Sequence, residues 1–562
     1  MISIRRAAAV AVTALAATAA AATPASAQAP DPVTDVRLIA FNDLHGNLEP
    51  PAGSSGRVTL PDGKTVDAGG AAYLATHVQR LRGEAPNSLV LSAGDNIGAS
   101  PVISALFHDE PTVDFLNQLG VGASVVGNHE FDEGYRELRR MRFGGCHPED
   151  GCQFRSSFGG AEFPFLGANV AFDNGFPALL PFTVKFSGGV PIGIIGVTLK
   201  DLPAVVTPEA IKGLKFGDEV AAIDRTADLL DRLGVRAQVV LMHQGDNTEG
   251  GGPDDCRLAP GPAAAIAARA SSKVDAIFTG HSHQQYNCAI NDPAGNPRPV
   301  IQGASFGRLL SVVDLRVDRR TRDVVRAETK AHNEIVTRDV APDAGVTKLI
   351  DEAKTKAAPI ANRPVGTITA DLLKTGGPSG ESALGDVIAD AQLAATASNS
   401  AQVALTNPGG IRADLVHKSS PGGEGDGVVT YGEAFTVQPF GNIMQTITLT
   451  GANLKAVLEQ QWQPNGTRIL QVSSSLRYAY SAAAPIGSKV SNLAIAGKPV
   501  DPEGSYRVSV NNFLAAGGDG FTEFTKGTNL TGGPVDLDAL LAYLGAHPNL
   551  APPPADRITA LP

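Results

Sequence analysis

The sequence is poor in cysteine, in basic charge and in long apolar segments. Only four of its 562 residues are cysteine, and 57 acidic side chains outnumber 46 basic ones, which gives a formal net charge of −11. An acidic chain is a poor partner for a nucleic-acid polymer or an anionic membrane surface. No segment after the first 27 residues is apolar enough to cross a bilayer. We therefore expect no nucleic-acid partner and no transmembrane segment.

The first residues have the pattern of an export signal. Arg5 and Arg6 give a positive start, residues 7–22 are apolar, and residues 25–27 form a small-residue cleavage site. We assign residues 1–27 to a signal peptide and expect a secreted or extracytoplasmic protein of the cell envelope. The paired arginines leave twin-arginine export open.

The four cysteines suit an oxidising compartment, and three pairings of them are possible. Cys146 and Cys152 lie in one Gly-rich loop, and Cys256 and Cys288 each lie in loop-like sequence. We favour the pairs 146–152 and 256–288. A thiolate metal site is disfavoured because the tight CxxC spacing is missing.

The length exceeds what one hydrophobic core holds, so we expect two large domains. From residue 33 to about 317 apolar strand-like runs alternate with helical patterns, which is typical of an α/β domain with parallel pairing. We place the first domain at 33–340, a bridging helix (343–357) and a Pro-containing linker (358–364) within 341–364, and a second α/β domain at 365–562. The second domain includes predicted helices at 382–396 and 453–462.

Five predicted strands of the first domain are followed at once by residues that bind metals well. These residues are Asp43 and His45, Asp95, Asn128, His243, and His281 and His283. Ligand sites gather at the carboxyl ends of the strands of an open α/β sheet. A D-x-H pair in extended backbone would also point both side chains to one face. The pattern therefore predicts a metal site at one edge of the sheet.

The donor set indicates two ions. Mixed oxygen and imidazole ligands suit Mn²⁺, Zn²⁺ or a similar divalent cation. Seven ligands are more than one tetrahedral ion needs, and two neighbouring ions can hold the attacking and leaving oxygens of an in-line displacement at phosphorus.

These motifs resemble the metallophosphoesterase family, and the whole arrangement resembles its 5'-nucleotidase branch. The resemblance implies a β-sandwich flanked by helices (αββα), joined by a helix to an α/β substrate-binding domain. It implies that Asp43, His45 and His283 hold one ion, that Asn128, His243 and His281 hold the other, and that Asp95 bridges them. It also implies that His129 stabilises charge on the phosphate and that Asp132 orients this imidazole and keeps it protonated.

The second domain has segments similar to the substrate-binding domain of 5'-nucleotidases. Asn407 to Arg412 forms a Gly-rich turn, Phe440 lies in a Pro-Phe-Gly turn, and Phe513 and Asp519 lie in a Gly-rich stretch after a predicted strand. The resemblance makes Phe440 and Phe513 a pair that stacks on the base. Arg412 and Asn407 become phosphate or ribose contacts, and Asp519 the ribose acceptor. Residues 378–381 lack an arginine that relatives often place there for phosphate.

We therefore expect a secreted, monomeric two-metal phosphomonoesterase whose partner is a small nucleotide, converted to nucleoside and inorganic phosphate. A 2',3'-cyclic-nucleotide phosphodiesterase and a UDP-sugar pyrophosphohydrolase are enzyme alternatives on the same site. A nucleotide-binding or adhesion protein without turnover is the non-enzyme alternative, and it is disfavoured because all the ligand positions are filled.

Overall fold

The computed structural model describes residues 32–206, 209–420, 422–463 and 466–562. The predicted signal peptide at 1–27 lies outside these residues. Among the helices of the described ranges, none combines the length and the apolar character needed to cross a bilayer.

In the described part of the chain, the first large sheet has seven strands. The strand Val33–Phe41 is central: it pairs in parallel with Ser88–Ser92 and antiparallel with Leu309–Asp318. The remaining strands are Val121–Val125 and Phe165–Leu166, which continue the parallel side, and Asp323–Val324 and Lys330–Ile335, which pair with Leu309–Asp318.

A second large sheet has six strands within the same described ranges. Its centre is parallel and consists of Val190–Thr198, Ala237–His243, Ala276–Thr279 and Pro297–Gly303. Antiparallel strands close both edges, Phe182–Ser187 on one side and Gln285–Asn291 on the other.

The two sheets pack face to face, and helices cover their outer faces. Side chains along Val33–Phe41 point alternately to the two faces of the sheet, so Leu38 packs between the sheets and Ile39 packs against the helices. The first sheet is covered by Ala71–Glu84, Glu110–Leu119, Gly134–Phe143 and Ala344–Ala361, and the second by Glu219–Arg232 and Pro262–Arg269. This four-layer arrangement confirms the predicted αββα architecture.

The C-terminal part contains a mixed five-stranded sheet and a four-stranded sheet within its described residues. The five-stranded sheet consists of Gln471–Val472, Val403–Thr406, Ser505–Asn511, Ile443–Thr450 and Thr528–Val535, and the four-stranded sheet of Lys498–Pro499, Val490–Ile495, Leu476–Ser481 and Ile558–Leu561. The helices include Ala383–Ala395, Tyr431–Val437, Gly451–Glu459, Asn512–Ala515 and Asp536–Ala546. The predicted second α/β region is therefore confirmed, whereas its boundary at residue 365 stays a prediction.

Two predictions of local structure were wrong. The bridging helix runs to Ala361, with Pro359 inside it, so most of the predicted linker is helical. Pro359 removes one i→i−4 hydrogen bond from the helix, but the burial of Ala357 and Ala361 against the core stabilises the last turn. In the second domain, the helix predicted to reach Trp462 ends at Glu459, because Trp462 enters a short strand.

The four cysteines, all in the described ranges, form the two favoured disulfides. Cys146 pairs with Cys152 over a sequence separation of 6, and Cys256 pairs with Cys288 over a separation of 32. The second bridge ties the loop after Ala237–His243 to the edge strand Gln285–Asn291.

Candidate metal centre

The seven predicted metal ligands lie together at one end of the sandwich. They follow the carboxyl ends of parallel strands of both sheets, and His243 is the last residue of its own strand. The side chains of Asp43, His45, Asp95 and His243 are almost completely buried, while His281 and His283 are half-buried. Residues from distant parts of the sequence thus share one pocket.

The backbone is left-handed, and not extended, at five of these seven positions. Asp43, His45 and Asp95 have φ of 50°, 47° and 51°, and His281 and His283 have φ of 71° and 56°. The D-x-H and H-x-H pairs therefore reach the pocket from left-handed turns, and the prediction from strand alternation was wrong. Left-handed backbone costs a non-glycine residue about 1–2 kcal/mol, and such strain is concentrated at functional sites.

Backbone hydrogen bonds hold the turns in this shape. The amides of Asp43 and His45 donate to the carbonyls of Gly94 and Asp95, both at 2.9 Å. The next loop approaches closely as well, since a Cβ on Gly127 would collide with the Asp95 carboxylate and the His243 ring. The loops that follow the first three parallel strands therefore form one packed unit.

One group of donor atoms consists of Asp43, His45 and His283. The Nε2 atoms of His45 and His283 are 3.1 Å apart, and His283 Nε2 is 3.5 Å from Asp43 Oδ1. The His45 ring is oriented by Nδ1, which lies 2.9 Å from the Gly98 carbonyl oxygen. The ring therefore presents Nε2 to the pocket.

A second group consists of Asn128, His243 and His281. Asn128 Oδ1 lies 2.9 Å from His281 Nδ1 and 3.3 Å from His243 Nε2. His243 Nδ1 lies 2.8 Å from the Ala93 carbonyl oxygen, so Nε2 is again the nitrogen that faces the pocket.

Asp95 lies between the two groups. Its Oδ2 atom is 3.1 Å from His243 Nε2 and 3.7 Å from His45 Nε2. Its Oδ1 atom accepts a hydrogen bond from the amide of His129 at 2.9 Å. A single carboxylate thus adjoins both sets of donors, as a bridging ligand would.

The donor atoms are spaced as ligands of shared ions are. Neighbouring ligands bound at about 2.1 Å lie about 3.0–3.4 Å from each other in octahedral or tetrahedral geometry. Burial lowers the pKa of His45 and His283, and lowers that of His281 to about 3, so these imidazoles keep a lone pair for a cation. The residues therefore fit two divalent ions.

The charges of Asp43, Asp95 and His243 shift one another's pKa values. Burial raises the pKa of Asp43 to about 7. Burial would also raise the pKa of Asp95, but the charges of His243 and His129 hold it well below its usual value. Burial opposes charge on His243 too, yet Asp95 raises the pKa of this imidazole to about 9, so an ion must displace its proton.

His129 and Asp132 form the predicted pair beside the centre. His129 Nδ1 lies 2.8 Å from Asp132 Oδ2, and the His129 ring meets the His45 ring edge-on at 4.8 Å. Burial alone would lower the pKa of His129, but the charges of Asp132 and Asp95 outweigh it and raise the pKa. The two carboxylates therefore favour the protonated form of this imidazole next to the predicted ligands.

Glu130 organises the centre, a role that the sequence did not reveal. Its carboxylate accepts hydrogen bonds from the amides of Asp95 and Asn96 at 3.0 and 2.8 Å, and from the amide of Gly127. Burial raises the pKa of Glu130 to about 7. The only signal in the sequence was its place after Asn128-His129.

Two of the substrate contacts predicted in the C-terminal part, Arg412 and Phe440, lie at the same pocket. Arg412 Nη2 lies 3.3 Å from His45 Nε2, and its Cζ lies 5.8 Å from the centre of the Phe440 ring. Phe440 in turn stacks on His129, with ring centroids 5.7 Å apart and planes at 23°. Arg412 and Phe440 thus face the metal ligands directly.

The other predicted substrate contacts form a second small cluster. Asn407 Nδ2 donates to Asp519 Oδ2 at 2.7 Å, and Asp519 has a φ of 55°. The Phe513 ring lies over Gly518, where any Cβ would collide with it. Among the ring contacts of the described residues, none joins Phe513 to Phe440, so the roles of these two rings stay predictions.

Two further cations lie near the pocket and were missed from the sequence. Lys374 Nζ donates to the Arg412 carbonyl at 3.1 Å, and burial lowers the pKa of Lys374 to about 8. The charge of Arg468 acts on both Asp519 and His281. Lys374 comes four residues before the segment 378–381, in which the sequence lacks the arginine that the resemblance led us to look for, but no local pattern pointed to Lys374 or Arg468.

Comparisons with known proteins agree with the predicted pair of domains. Residues 36–285 match the family model of calcineurin-like phosphoesterases, and residues 364–526 match that of the 5'-nucleotidase C-terminal domain. The crystal structure of a 5'-nucleotidase precursor from Thermus thermophilus is similar, with 27% identity and a TM-score of 0.77 over 94% of this chain and 99% of that chain.

Two bacterial relatives are similar over most of this chain. Cell wall protein Lmo0130 of Listeria monocytogenes is 31% identical over 92% of this chain and 68% of its own length. Endonuclease YhcR of Bacillus subtilis is 32% identical over 92% of this chain, which spans only 40% of that longer relative.

The two family models lie in the order that the sequence predicted, one on each side of the bridging helix. The chain belongs to the 5'-nucleotidase family and is a metal-dependent phosphoester hydrolase, with a metallophosphoesterase domain followed by a 5'-nucleotidase C-terminal domain.

Proposed function

We propose that this protein is an extracytoplasmic two-metal phosphomonoesterase that hydrolyses nucleoside 5'-phosphates to nucleosides and inorganic phosphate. The observation that carries the proposal is the position of Arg412, whose Nη2 lies 3.3 Å from His45 Nε2, a donor that adjoins Asp95 between the two groups. A phosphate that contacts the centre would also be within reach of the Arg412 guanidinium, whose planar fork suits phosphate oxygens.

The seven donors would hold two divalent ions such as Mn²⁺ or Zn²⁺. Asp43, His45 and His283 would bind one, Asn128, His243 and His281 the other, and Asp95 would bridge them. When bound, such ions supply Lewis-acid stabilisation of phosphate charge and an activated water for in-line attack. Glu130 would keep the loop amides around Asp95 in register through its three accepted hydrogen bonds.

His129 would donate a hydrogen bond to a phosphate oxygen as negative charge builds up in the transition state. The adjacent Asp132 carboxylate supports this role, because its charge raises the pKa of the imidazole and its hydrogen bond to Nδ1 orients the ring. A preorganised donor of this kind typically contributes about 10²–10³ in rate.

The C-terminal domain would recognise the nucleoside. Phe440 and Phe513 would stack on the two faces of the base, and Asp519, held by Asn407, would accept hydrogen bonds from the ribose hydroxyls. Lys374 and Arg468 add positive potential near the phosphate position, which supports binding of an anionic substrate by an acidic chain.

Export is supported by the signal-like pattern at residues 1–27 and by the two disulfides. A relative that is 31% identical is named as a cell wall protein. An extracytoplasmic location would give the enzyme access to nucleotides outside the cytoplasm.

Phosphate release from AMP by the chelator-stripped and Mn²⁺-reloaded protein tests the proposal. Asp95→Asn should lower turnover by at least about 10³-fold, since it weakens both donor groups at once. The matched control is Asp426→Asn in an exposed loop, which should leave turnover unchanged. No phosphate from any nucleoside monophosphate, or full activity of Asp95→Asn, would contradict the proposal.

A phosphodiesterase activity is the second candidate, because a relative that is 32% identical is named as an endonuclease. The same seven metal ligands could support hydrolysis of a phosphomonoester or of a phosphodiester. Initial rates on AMP, 2',3'-cyclic AMP and a UDP-sugar under one metal condition would rank the activities. A kcat/KM for AMP below those of the other two substrates would favour the diesterase.

A further inference from the structure

The turn of residues 304–308 joins the two large sheets next to the predicted metal ligands. It connects the strand Pro297–Gly303 of the second sheet directly to the strand Leu309–Asp318 of the first. Phe306 is the only aromatic residue of this turn, and its exposed fraction is 7%. The turn can therefore contact loops of both sheets.

Phe306 contacts all three residues of the first group, which are Asp43, His45 and His283. Its amide donates a hydrogen bond to the Asp43 carbonyl oxygen at 2.7 Å. Its ring meets the His45 ring with centroids 5.9 Å apart and planes at 64°, and the His283 ring with centroids 5.5 Å apart and planes at 76°. Edge-to-face contacts with centroids about 4.5–7 Å apart are a favoured geometry of aromatic pairs. A single residue thus links the ligands of one predicted ion.

The second group, which is Asn128, His243 and His281, is arranged differently. Within the described residues, no ring contact joins Phe306 to His243 or His281. These two imidazoles meet each other edge-on, with centroids 5.3 Å apart. An effect of the Phe306 ring on ligand geometry should therefore act on the first group rather than on the second.

Several contacts fix Phe306 in this place. Its φ of 59° lies in the left-handed region, which a bulky residue adopts only rarely, and such strain persists where the surroundings enforce it. The turn is tied to both ligand loops, because the Ala304 amide donates to the Gln284 carbonyl at 2.8 Å and Asn42 Nδ2 donates to the Ala304 carbonyl at 2.5 Å. Arg308 Cζ lies 5.7 Å from the centre of the Phe306 ring. The position of the ring is therefore determined by its neighbours.

We propose that Phe306 is a positioning residue that orients the imidazoles of His45 and His283 for one shared ion. The two imidazole planes are inclined at 59°, and the Nε2 atoms, 3.1 Å apart, are closer than the ring centroids at 5.1 Å. The two nitrogen lone pairs therefore converge, as a shared cation requires. Without the Phe306 ring, both imidazoles would gain rotational freedom that binding of the ion has to remove. This role rests on the two-ion part of the proposed function.

The test measures how tightly each group binds Mn²⁺ in the full-length protein. The chelator-stripped protein is titrated with Mn²⁺ by calorimetry, and crystals equilibrated at graded Mn²⁺ concentrations give the anomalous peak height at each group. Phe306→Leu removes the ring, and Phe306→Gly removes it while glycine adopts the left-handed backbone without strain. The control is Phe158→Leu, since Phe158 is also 7% exposed and has Arg140 Cζ 5.2 Å from its ring centre. Melting temperatures of the stripped proteins report folding.

In both Phe306 variants the Mn²⁺ concentration that half-fills the first group should rise about 10- to 100-fold, as is typical when an outer partner of a metal ligand is lost. The concentration for the second group should change by less than about threefold. Phe158→Leu should match the wild-type protein at both groups. An unchanged first group, or an equal loss at both groups in the folded variants, would overturn the role of Phe306.

The wild-type crystals separate this role from the proposal on which it rests. Fewer than two anomalous peaks in the wild-type protein would overturn the two-ion centre and the role of Phe306 with it. Two wild-type peaks with unchanged occupancy in both Phe306 variants would overturn the role of Phe306 alone. Neither measurement depends on hydrolysis of a nucleotide.

Discussion

Replacing Phe513 by alanine should weaken the binding of nucleotides without changing the chemistry of phosphate release. The Phe513 ring is half-buried and packs over Gly518, in a segment separate from the metal ligands. Stacking of one base on an aromatic ring contributes about 1–3 kcal/mol, so Phe513→Ala should raise KM for AMP about 5- to 150-fold. The kcat should stay within about a factor of two.

Ribose 5-phosphate separates these effects, because it has the sugar and the phosphate but no base. Its kcat/KM should be the same in Phe513→Ala and in the wild-type protein, and Phe513→Tyr, which keeps a ring, should restore the KM for AMP. Circular dichroism and thermal melts control for misfolding. An equal loss on AMP and on ribose 5-phosphate would refute the stacking role.

Three other predictions test the centre and its scaffold. Asp132→Asn should lower kcat for AMP about 10²-fold with little change in KM, because His129 loses a carboxylate charge that raises its pKa; an unchanged kcat would contradict this role. Chelation should abolish turnover and lower the free energy of unfolding by about 3–4 kcal/mol at saturating metal, which calorimetry with and without Mn²⁺ measures. Replacing Cys256 and Cys288 by serine should destabilise the protein by about 3–4 kcal/mol in urea titrations, since their loop spans 32 residues; a loss below that expected for the Cys146–Cys152 loop would contradict the entropic account.

The strands and the residues that follow them could be predicted because both signals are local. An apolar run such as 36–41 predicts a buried strand, and the polar residues after it, such as Asp43 and His45, must then lie at the carboxyl edge of the sheet. Parallel order alone brings Asp43, Asp95 and Asn128 to one edge of the first sheet. The prediction of one edge of one sheet was wrong for the histidines after the strands Ala237–His243 and Ala276–Thr279, because these strands belong to the second sheet and meet the first group only through the packing of the two sheets. The conformation of the turns at Asp43 and His45 could not be predicted from the local sequence, because hydrogen bonds to the distant residues Gly94 and Asp95 stabilise the left-handed backbone.

Residues whose role depends on packing between distant loops could not be predicted. Glu130 accepts bonds from three amides on two loops, and that geometry exists only after the loops have folded together. Lys374 and Arg468 reach the pocket from separate loops of the C-terminal domain, and the contact of Phe440 with His129 joins the two domains. Pro359 does not end the helix, because the burial of Ala357 and Ala361 stabilises the last turn.

The most direct test of the account is anomalous diffraction from crystals of the Mn²⁺-loaded protein. We expect one ion among Asp43, His45 and His283 and a second among Asn128, His243 and His281, both in contact with the Asp95 carboxylate. A single ion, or two ions bound away from Asp95 in a fully active preparation, would contradict the account.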